Sequence, residues 1–62
     1  MNMAKIKNYE RIEGVTPNGG AYSVAYYFNK NNEPCPPQKA YRVEIIEYDK
    51  DDNIINTTYS LV

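Results

Sequence analysis

Three turn-forming stretches divide this sequence into short segments that leave no room for a helix between strands. They are Pro17-Asn18-Gly19, the proline-rich stretch 29–39 (NKNNEPCPPQK) and Lys50-Asp51-Asp52. Asparagine, aspartate, glycine and proline favour turns because they tolerate left-handed backbone, bond to their own backbone or fix φ. Short connections join antiparallel neighbours, whereas parallel strands need a long crossover. The sequence therefore predicts an all-β fold, a four-stranded antiparallel meander.

Residues 22–28 form the clearest predicted strand. They read YSVAYYF, with an aromatic or valine side chain at every second position. Residues two apart share one face of a strand, so this pattern predicts one strongly apolar face. The seven tyrosines of the chain, together with its isoleucines, valines and threonines, also favour strands over helices.

Each hairpin turn predicts a register. A three-residue loop in the first hairpin pairs Ile12 with Val24, and one in the last hairpin pairs Val43 with Tyr59. The adjacent isoleucines 45–46 break strict alternation and predict a bulge or burial on both faces. The apolar face then has these predicted members: Ile12, Tyr22, Val24, Tyr26, Phe28, Tyr41, Val43, Ile45, Ile55, Tyr59 and Leu61.

One four-stranded sheet of 62 residues has nothing in its own chain to cover that face. Small domains usually gain stability from disulfides, a metal or a partner subunit. A single cysteine forms no intrachain disulfide, and the absence of histidine removes the usual zinc ligand sets. We expect residues 1–62 to form one domain with an extended or flexible arm at 1–8. We expect its sheet to curl or close into a small barrel, completed by homodimer packing.

Composition narrows the class of function. A formal charge of −1 and a pI near 5.2 argue against electrostatically driven nucleic-acid binding. No apolar run is long enough for a membrane span, and the N-terminus has no apolar signal region, so we expect a cytoplasmic protein. Without histidine, the Ser-His and Cys-His nucleophile pairs cannot form, and we expect no enzyme activity, cofactor or metal. Abundant Asn, Ile, Lys and Tyr, whose codons are A/T-rich, indicate a low-GC bacterium or its phage.

Two stretches resemble sites but have simpler interpretations. Residues 49–53 (DKDDN) alternate oxygen-bearing side chains as a calcium loop does. The sixth position is Ile54 rather than glycine and the twelfth is Ser60 rather than glutamate, so a hairpin turn is predicted. Cys35 lies among prolines in a PxxPxK pattern, but proline also stiffens a connection and cannot donate to a strand ladder. We predict a stiff linker between the second and third strands.

The predicted registers place a second apolar patch on the opposite face, formed by Ile46, Tyr48 and Ile54, and Tyr27 faces the same way. We predict an interface there, since tyrosine offers large and fairly rigid contact area. The leading hypothesis is a non-enzymatic β module that self-associates and binds a macromolecular partner, as an inhibitor or accessory protein. The alternatives are a purely structural oligomer and a module that binds or sequesters a nucleotide or other anionic metabolite between subunits. The predicted ligand contacts of that last alternative are Tyr27, Arg42, Lys30 and Lys39.

Overall fold

A computed structural model describes residues 7–62, so residues 1–6 of the predicted N-terminal arm lie outside the described part. Four strands form one antiparallel sheet in chain order. They are β1 (Tyr9–Glu13), β2 (Tyr22–Phe28), β3 (Arg42–Tyr48) and β4 (Ile54–Leu61), with a 3-10 turn at Pro37–Lys39. The predicted four-stranded meander is confirmed, and its sheet is open rather than closed into a barrel. No helix within residues 7–62 is long and apolar enough to cross a membrane.

The loop of the first hairpin closes as predicted, but one extra residue precedes it. The N–H of Thr16 donates to the carbonyl of Gly20 at 3.1 Å, which leaves the three predicted loop residues between them. The next bond runs from the N–H of Gly14 to the carbonyl of Ala21 at 3.1 Å. Val15 therefore has no counterpart on the other strand, and its side chain is 89% exposed. This arrangement is a bulge immediately below the turn.

The bulge shifts the pairing of β1 with β2 by one residue. Ile12 lies opposite Ser23, and Arg11 lies opposite Val24. Because side chains alternate between faces, a shift of one residue sends Ile12 to the face away from Val24. The predicted pairing of Ile12 with Val24 is wrong for this reason.

The last hairpin repeats this behaviour. Its loop closes as predicted around residues 50–52, with the N–H of Asp49 donating to the carbonyl of Asn53 at 2.9 Å. The register then shifts between Glu47 and Tyr48. Residues 45–46 pair in regular register on opposite faces, so no bulge lies there; the extra residue of this hairpin is Ile55 of β4, beside the turn.

The shift in the last hairpin turns β3 over relative to the predicted face of β4, and the β2–β3 register turns it over relative to β2. Val43 lies opposite Ser60 rather than Tyr59. Ile46 lies opposite Val24 on β2. The even-numbered residues of β3 therefore share a face with the even-numbered residues of β2, because directly paired residues project to the same side.

We call the two sides of the sheet the aromatic face and the polar face. By register the aromatic face carries Tyr9, Arg11, Glu13, Tyr22, Val24, Tyr26, Phe28, Arg42, Glu44, Ile46, Tyr48, Ile54, Thr57, Tyr59 and Leu61. The polar face carries Glu10, Ile12, Ser23, Ala25, Tyr27, Val43, Ile45, Glu47, Asn56, Thr58 and Ser60. The placement of Ile12, Val43 and Ile45 with Tyr22 was wrong: all three lie on the polar face.

The described chain has very little interior. Its buried hydrophobic residues are Tyr22, Ala25 and Cys35, and no large side chain among residues 7–62 is completely enclosed. A single sheet forms one layer, whereas a stable domain needs two packed layers to bury an apolar face. Nine large hydrophobic residues of the described chain are exposed instead.

Candidate functional site: the aromatic face

Two tyrosine pairs form the centre and one flank of the aromatic face. The rings of Tyr22 and Tyr48 stack with centroids 4.9 Å apart and planes inclined by 12°. The rings of Tyr9 and Tyr26 lie 6.1 Å apart at a tilt of 42°. Both pairs join residues on neighbouring strands, so the strand register creates them. Such aromatic pairs contribute about 0.5–1.5 kcal/mol beyond their area burial.

Both arginines of the chain lie over aromatic rings of this face and pair with glutamates. The Cζ atom of Arg11 lies 3.9 Å from the ring centroid of the β2 tyrosine in the central stack, and its Nε pairs with Glu13. The Cζ atom of Arg42 lies 4.3 Å from the ring centroid of Phe28, and its Nη1 lies 2.5 Å from Glu44 Oε2. Each guanidinium already has a carboxylate partner, so these four charges cancel across the face.

The aromatic face is exposed at its edges. Tyr59 is 70% exposed, Leu61 68%, Ile54 61% and Tyr9 46%. Single exposed apolar side chains are ordinary, but contiguous apolar patches larger than a few hundred Å² are rare on monomers. By register Tyr9 lies beside Tyr26 and Ile54 beside Tyr48, whereas Tyr59 and Leu61 lie beside Glu44 and Arg42, so charged side chains are interspersed among the exposed apolar ones.

The turn after β3 holds one end of the aromatic face. The hydroxyl of Tyr22 donates to Asp52 Oδ1 at 2.6 Å. This hydrogen bond, followed by burial, raises the pKa of Tyr22 to about 12, because it stabilises the protonated phenol. Asp52 lies at φ 67° in the loop itself. Asp49 accepts from the N–H groups of Asp51 and Asn53 at 2.8 and 2.9 Å, which is the hydrogen bonding of the predicted hairpin turn.

A buried carboxylate on the polar face anchors the first loop. Glu47 is 4% exposed. Its oxygens accept from the backbone N–H of Asn18 at 3.0 Å, the side-chain amide of Asn18 at 2.5 Å and the amide of Asn56 at 2.9 Å. Hydrogen bonds from Thr16, Asn18 and Asn56 lower the pKa of Glu47 to about 2, because they stabilise the ionised form. The cluster joins the loop to β3 and β4, so its role is to position structure.

The proline-rich stretch behaves as the predicted connection. The N–H of Asn29 donates to the carbonyl of Glu33 at 2.9 Å, and Asn32 adopts φ 62°, so the stretch begins with a tight turn. Cys35 then donates its N–H to the carbonyl of Tyr27 at 3.2 Å and is 5% exposed. Residues 37–39 form a 3-10 turn, so the PxxPxK pattern is not one continuous polyproline helix. A buried thiol with this surrounding has no feature of a reactive cysteine.

A shallow cavity of about 370 Å³ lies between the start of β1 and the proline-rich stretch. Its lining residues are Lys7, Tyr9, Glu10, Pro36, Pro37 and Gln38. One cation and one carboxylate border it, so its lining carries no excess charge that would select an anion.

The structure brings the predicted interface trio together but on the other face. Ile46 pairs with Val24, and Tyr48 stacks on Tyr22, so the patch belongs to the aromatic face rather than to a second apolar surface. Ile54 pairs with Tyr48 and lies there too. The predicted fourth member, Tyr27, lies on the polar face.

The residues predicted for the alternative ligand site do not converge. Tyr27 is on the polar face, where its hydroxyl donates to Glu10 at 2.7 Å. Arg42 is on the aromatic face and is held by Glu44 and by Asn32. The other two predicted contacts lie on the connection. Lys30 Nζ is 5.6 Å from the ring centroid of Tyr41, and Lys39 ends the 3-10 turn.

Sequence reasoning missed three contributors. Tyr9 and Arg11 join the aromatic face only because the bulge at Val15 turns β1 over. Glu47 is buried because the first loop folds against it, and strand alternation alone does not show that. The one available signal in the sequence was Gly14, just before Val15 and the turn, because a glycine inside a strand often marks a bulge.

No protein-family model, curated protein or solved structure matches this chain.

Proposed function

We propose that this chain is a non-enzymatic β assembly module that buries its aromatic face against the same face of a second copy. The observation that carries the proposal is the set of exposed aromatic and aliphatic side chains on one face of a single-layer sheet with almost no interior of its own. Packing two such sheets face to face, about 10 Å apart, would create the second layer that the fold needs.

The size of the surface supports association. A tyrosine buries about 150–250 Å². The exposed parts of Tyr9 and Tyr59 alone therefore come to roughly 170–290 Å², before the aliphatic side chains and the half-buried centre are added. Ordinary stable interfaces bury about 800 Å² from each partner, and tyrosine and arginine are enriched in them.

The charge of the surface supports a second copy as its occupant. Each arginine of the aromatic face is already paired with a glutamate of the same strand, so these four charges cancel, and Lys7 adds a cation 5.7 Å from the ring centroid of Tyr9. A nucleic-acid platform would need a positively charged groove along its aromatic rings to follow the phosphates. An isologous two-fold contact needs only that the same patch fit itself.

A matched pair of variants on β1 tests this proposal. Tyr9 and Ile12 are similarly exposed, at 46% and 53%, but lie on opposite faces. Tyr9→Lys should weaken self-association in sedimentation equilibrium, because it places a charge in the interface. Ile12→Lys should leave the association unchanged. Equal effects of the two variants, or none from either, would rule out the aromatic face as the contact.

The wider hypotheses from the sequence stay predictions. A macromolecular partner for this module would be sought by affinity capture of the tagged protein from its native host. For the ligand alternative, a thermal-shift screen with nucleotides and other anionic metabolites gives the test, and no shift with any of them would count against it.

A further inference from the structure

The two edge strands of the sheet differ in how well they resist pairing with another strand. In β1, which reads YERIE, Glu10, Arg11 and Glu13 are charged. In β4, which reads IINTTYSL, no side chain is charged and there is no proline. Natural edge strands are commonly protected by charges, prolines or short length. β1 has the charges and is short, whereas β4 is the longest strand, and its bulge at Ile55 lies outside residues 57–61.

The backbone of β4 presents an ordered set of unpaired groups. The N–H of Val62 donates to the carbonyl of Tyr41 at 3.0 Å, which fixes which residues point toward β3. Since alternate residues of an edge strand point in opposite directions, the N–H and C=O groups of Thr57, Tyr59 and Leu61 point away from the sheet. The Leu61 carbonyl accepts from the Ser60 hydroxyl at 3.1 Å, a local bond that leaves its second lone pair available.

We propose that β4 pairs antiparallel with β4 of a second copy about a two-fold axis at Tyr59, so that two four-stranded sheets become one of eight strands. In that register Tyr59 lies opposite its own copy, Thr57 opposite Leu61, and Thr58 opposite Ser60. The larger side chains then meet on the aromatic face and the hydroxyl side chains on the polar face. The pairing places no like charges opposite each other.

Self-pairing of β1 would have the opposite result. A two-fold axis at Glu10 or at Arg11 would place that charged residue opposite its own copy, and only an axis at Ile12, which sets Arg11 opposite Glu13 of the copy, avoids like charges. Like charges directly opposite each other destabilise a pair of strands. The difference between the edges therefore favours β4 as the surface that accepts a strand and its own copy as the fitting occupant.

This contact does not depend on the proposed packing of aromatic faces, and the two are geometrically compatible. A two-fold axis perpendicular to the sheet relates the β4 strands, whereas face packing uses axes in the plane between sheets. Where both contacts form, the assembly contains four chains. Where only one forms, it contains two.

Hydrogen exchange gives a readout specific to the edge contact. The outward amides of Thr57, Tyr59 and Leu61 should exchange on the order of tenfold slower at protein concentrations well above the dissociation constant than in dilute solution. Packing of the aromatic faces alone would form no hydrogen bonds to these amides. Fast exchange of all three in the assembled protein would overturn the inference, as would a chain that sediments at its single-chain mass of 7.2 kDa at every accessible concentration.

Two double variants test the register. Thr58→Lys combined with Ser60→Lys brings like charges opposite each other in the pair and should halve the assembled mass. Thr58→Lys combined with Ser60→Glu brings opposite charges together and should keep it. Both positions are exposed in the single chain, so neither variant disturbs an interior. Equal masses for the two double variants would overturn the proposed register.

The outcomes separate this inference from the proposed function. If Tyr9→Lys has no effect while the three amides are protected, the face contact fails and the edge contact holds. If Tyr9→Lys lowers the mass while the amides exchange freely, the reverse is true.

Discussion

Gly20 occupies a position where even one added methyl group should disrupt the fold. A Cβ placed on Gly20 would lie 2.6 Å from Thr16 Oγ, 2.7 Å from the Tyr48 carbonyl oxygen and 2.9 Å from Ile55 Cδ1. The Ile55 methyl group can swing aside. The carbonyl oxygen cannot, because it belongs to β3 and accepts from the Ala21 N–H at 2.8 Å. Gly20→Ala must therefore move backbone.

Forced overpacking of this kind lowers the free energy of unfolding by about 1–3 kcal/mol. Because the obstacle at Gly20 is backbone, we expect the upper half of that range. The alanine also reduces the conformational entropy of the unfolded chain, which offsets about 0.4–1 kcal/mol of that loss in stability. A net loss near 2 kcal/mol would lower the melting temperature by roughly 8–16 °C, at about 4–8 °C per kcal/mol for a domain of this size.

The neighbouring Gly19 is the matched control. It has open space around it but lies at φ 84°. Gly19→Ala therefore meets only the left-handed backbone penalty of about 1–2 kcal/mol, offset by the same reduction in the entropy of the unfolded chain. Urea denaturation of both variants, followed by tyrosine fluorescence at one protein concentration, compares them directly. A loss for Gly20→Ala no greater than that for Gly19→Ala would refute the steric argument.

Two pH-dependent predictions follow from the hydrogen-bonded side chains. The pKa of Glu47 is about 2 in the folded chain against an ordinary 4.5. Its contribution to the free energy of unfolding is therefore present above pH 4.5 and lost as the pH falls toward 2. In urea titrations, Glu47→Gln should be less stable at neutral pH and should lose less stability in acid. The pKa of Tyr22 is raised from 10 to about 12. Its contribution to the free energy of unfolding is therefore present below pH 10 and lost as the pH rises toward 12. Tyr22→Phe removes the bond to Asp52 and should flatten that alkaline decline; an unchanged decline would contradict the assignment to Tyr22.

The turns of this protein could be predicted because their causes are local. Pro17-Asn18-Gly19 and Lys50-Asp51-Asp52 form the expected three-residue loops, and the alternation of residues 22–28 defines β2. Turn residues act through their own φ angles and side-chain bonds, and strand alternation needs no knowledge of the partner strand. The number and order of strands followed directly from these features.

The faces of β1 and β3 were decided by the tertiary structure. One extra residue beside each hairpin turn, Val15 in the first and Ile55 in the last, shifts the register, and a shift of one residue exchanges the two sides of a strand. No local preference reveals whether such a residue is paired or bulged, because that depends on how well the two registers pack across the whole sheet. The aromatic face exists in its present form because the bulge at Val15 brings Arg11, and the β2–β3 register brings Ile46 and Tyr48, onto the side of β2 that carries Tyr22 and Tyr26. The sequence by itself thus determined the strands and turns, and only packing between strands decided which side chains share a surface.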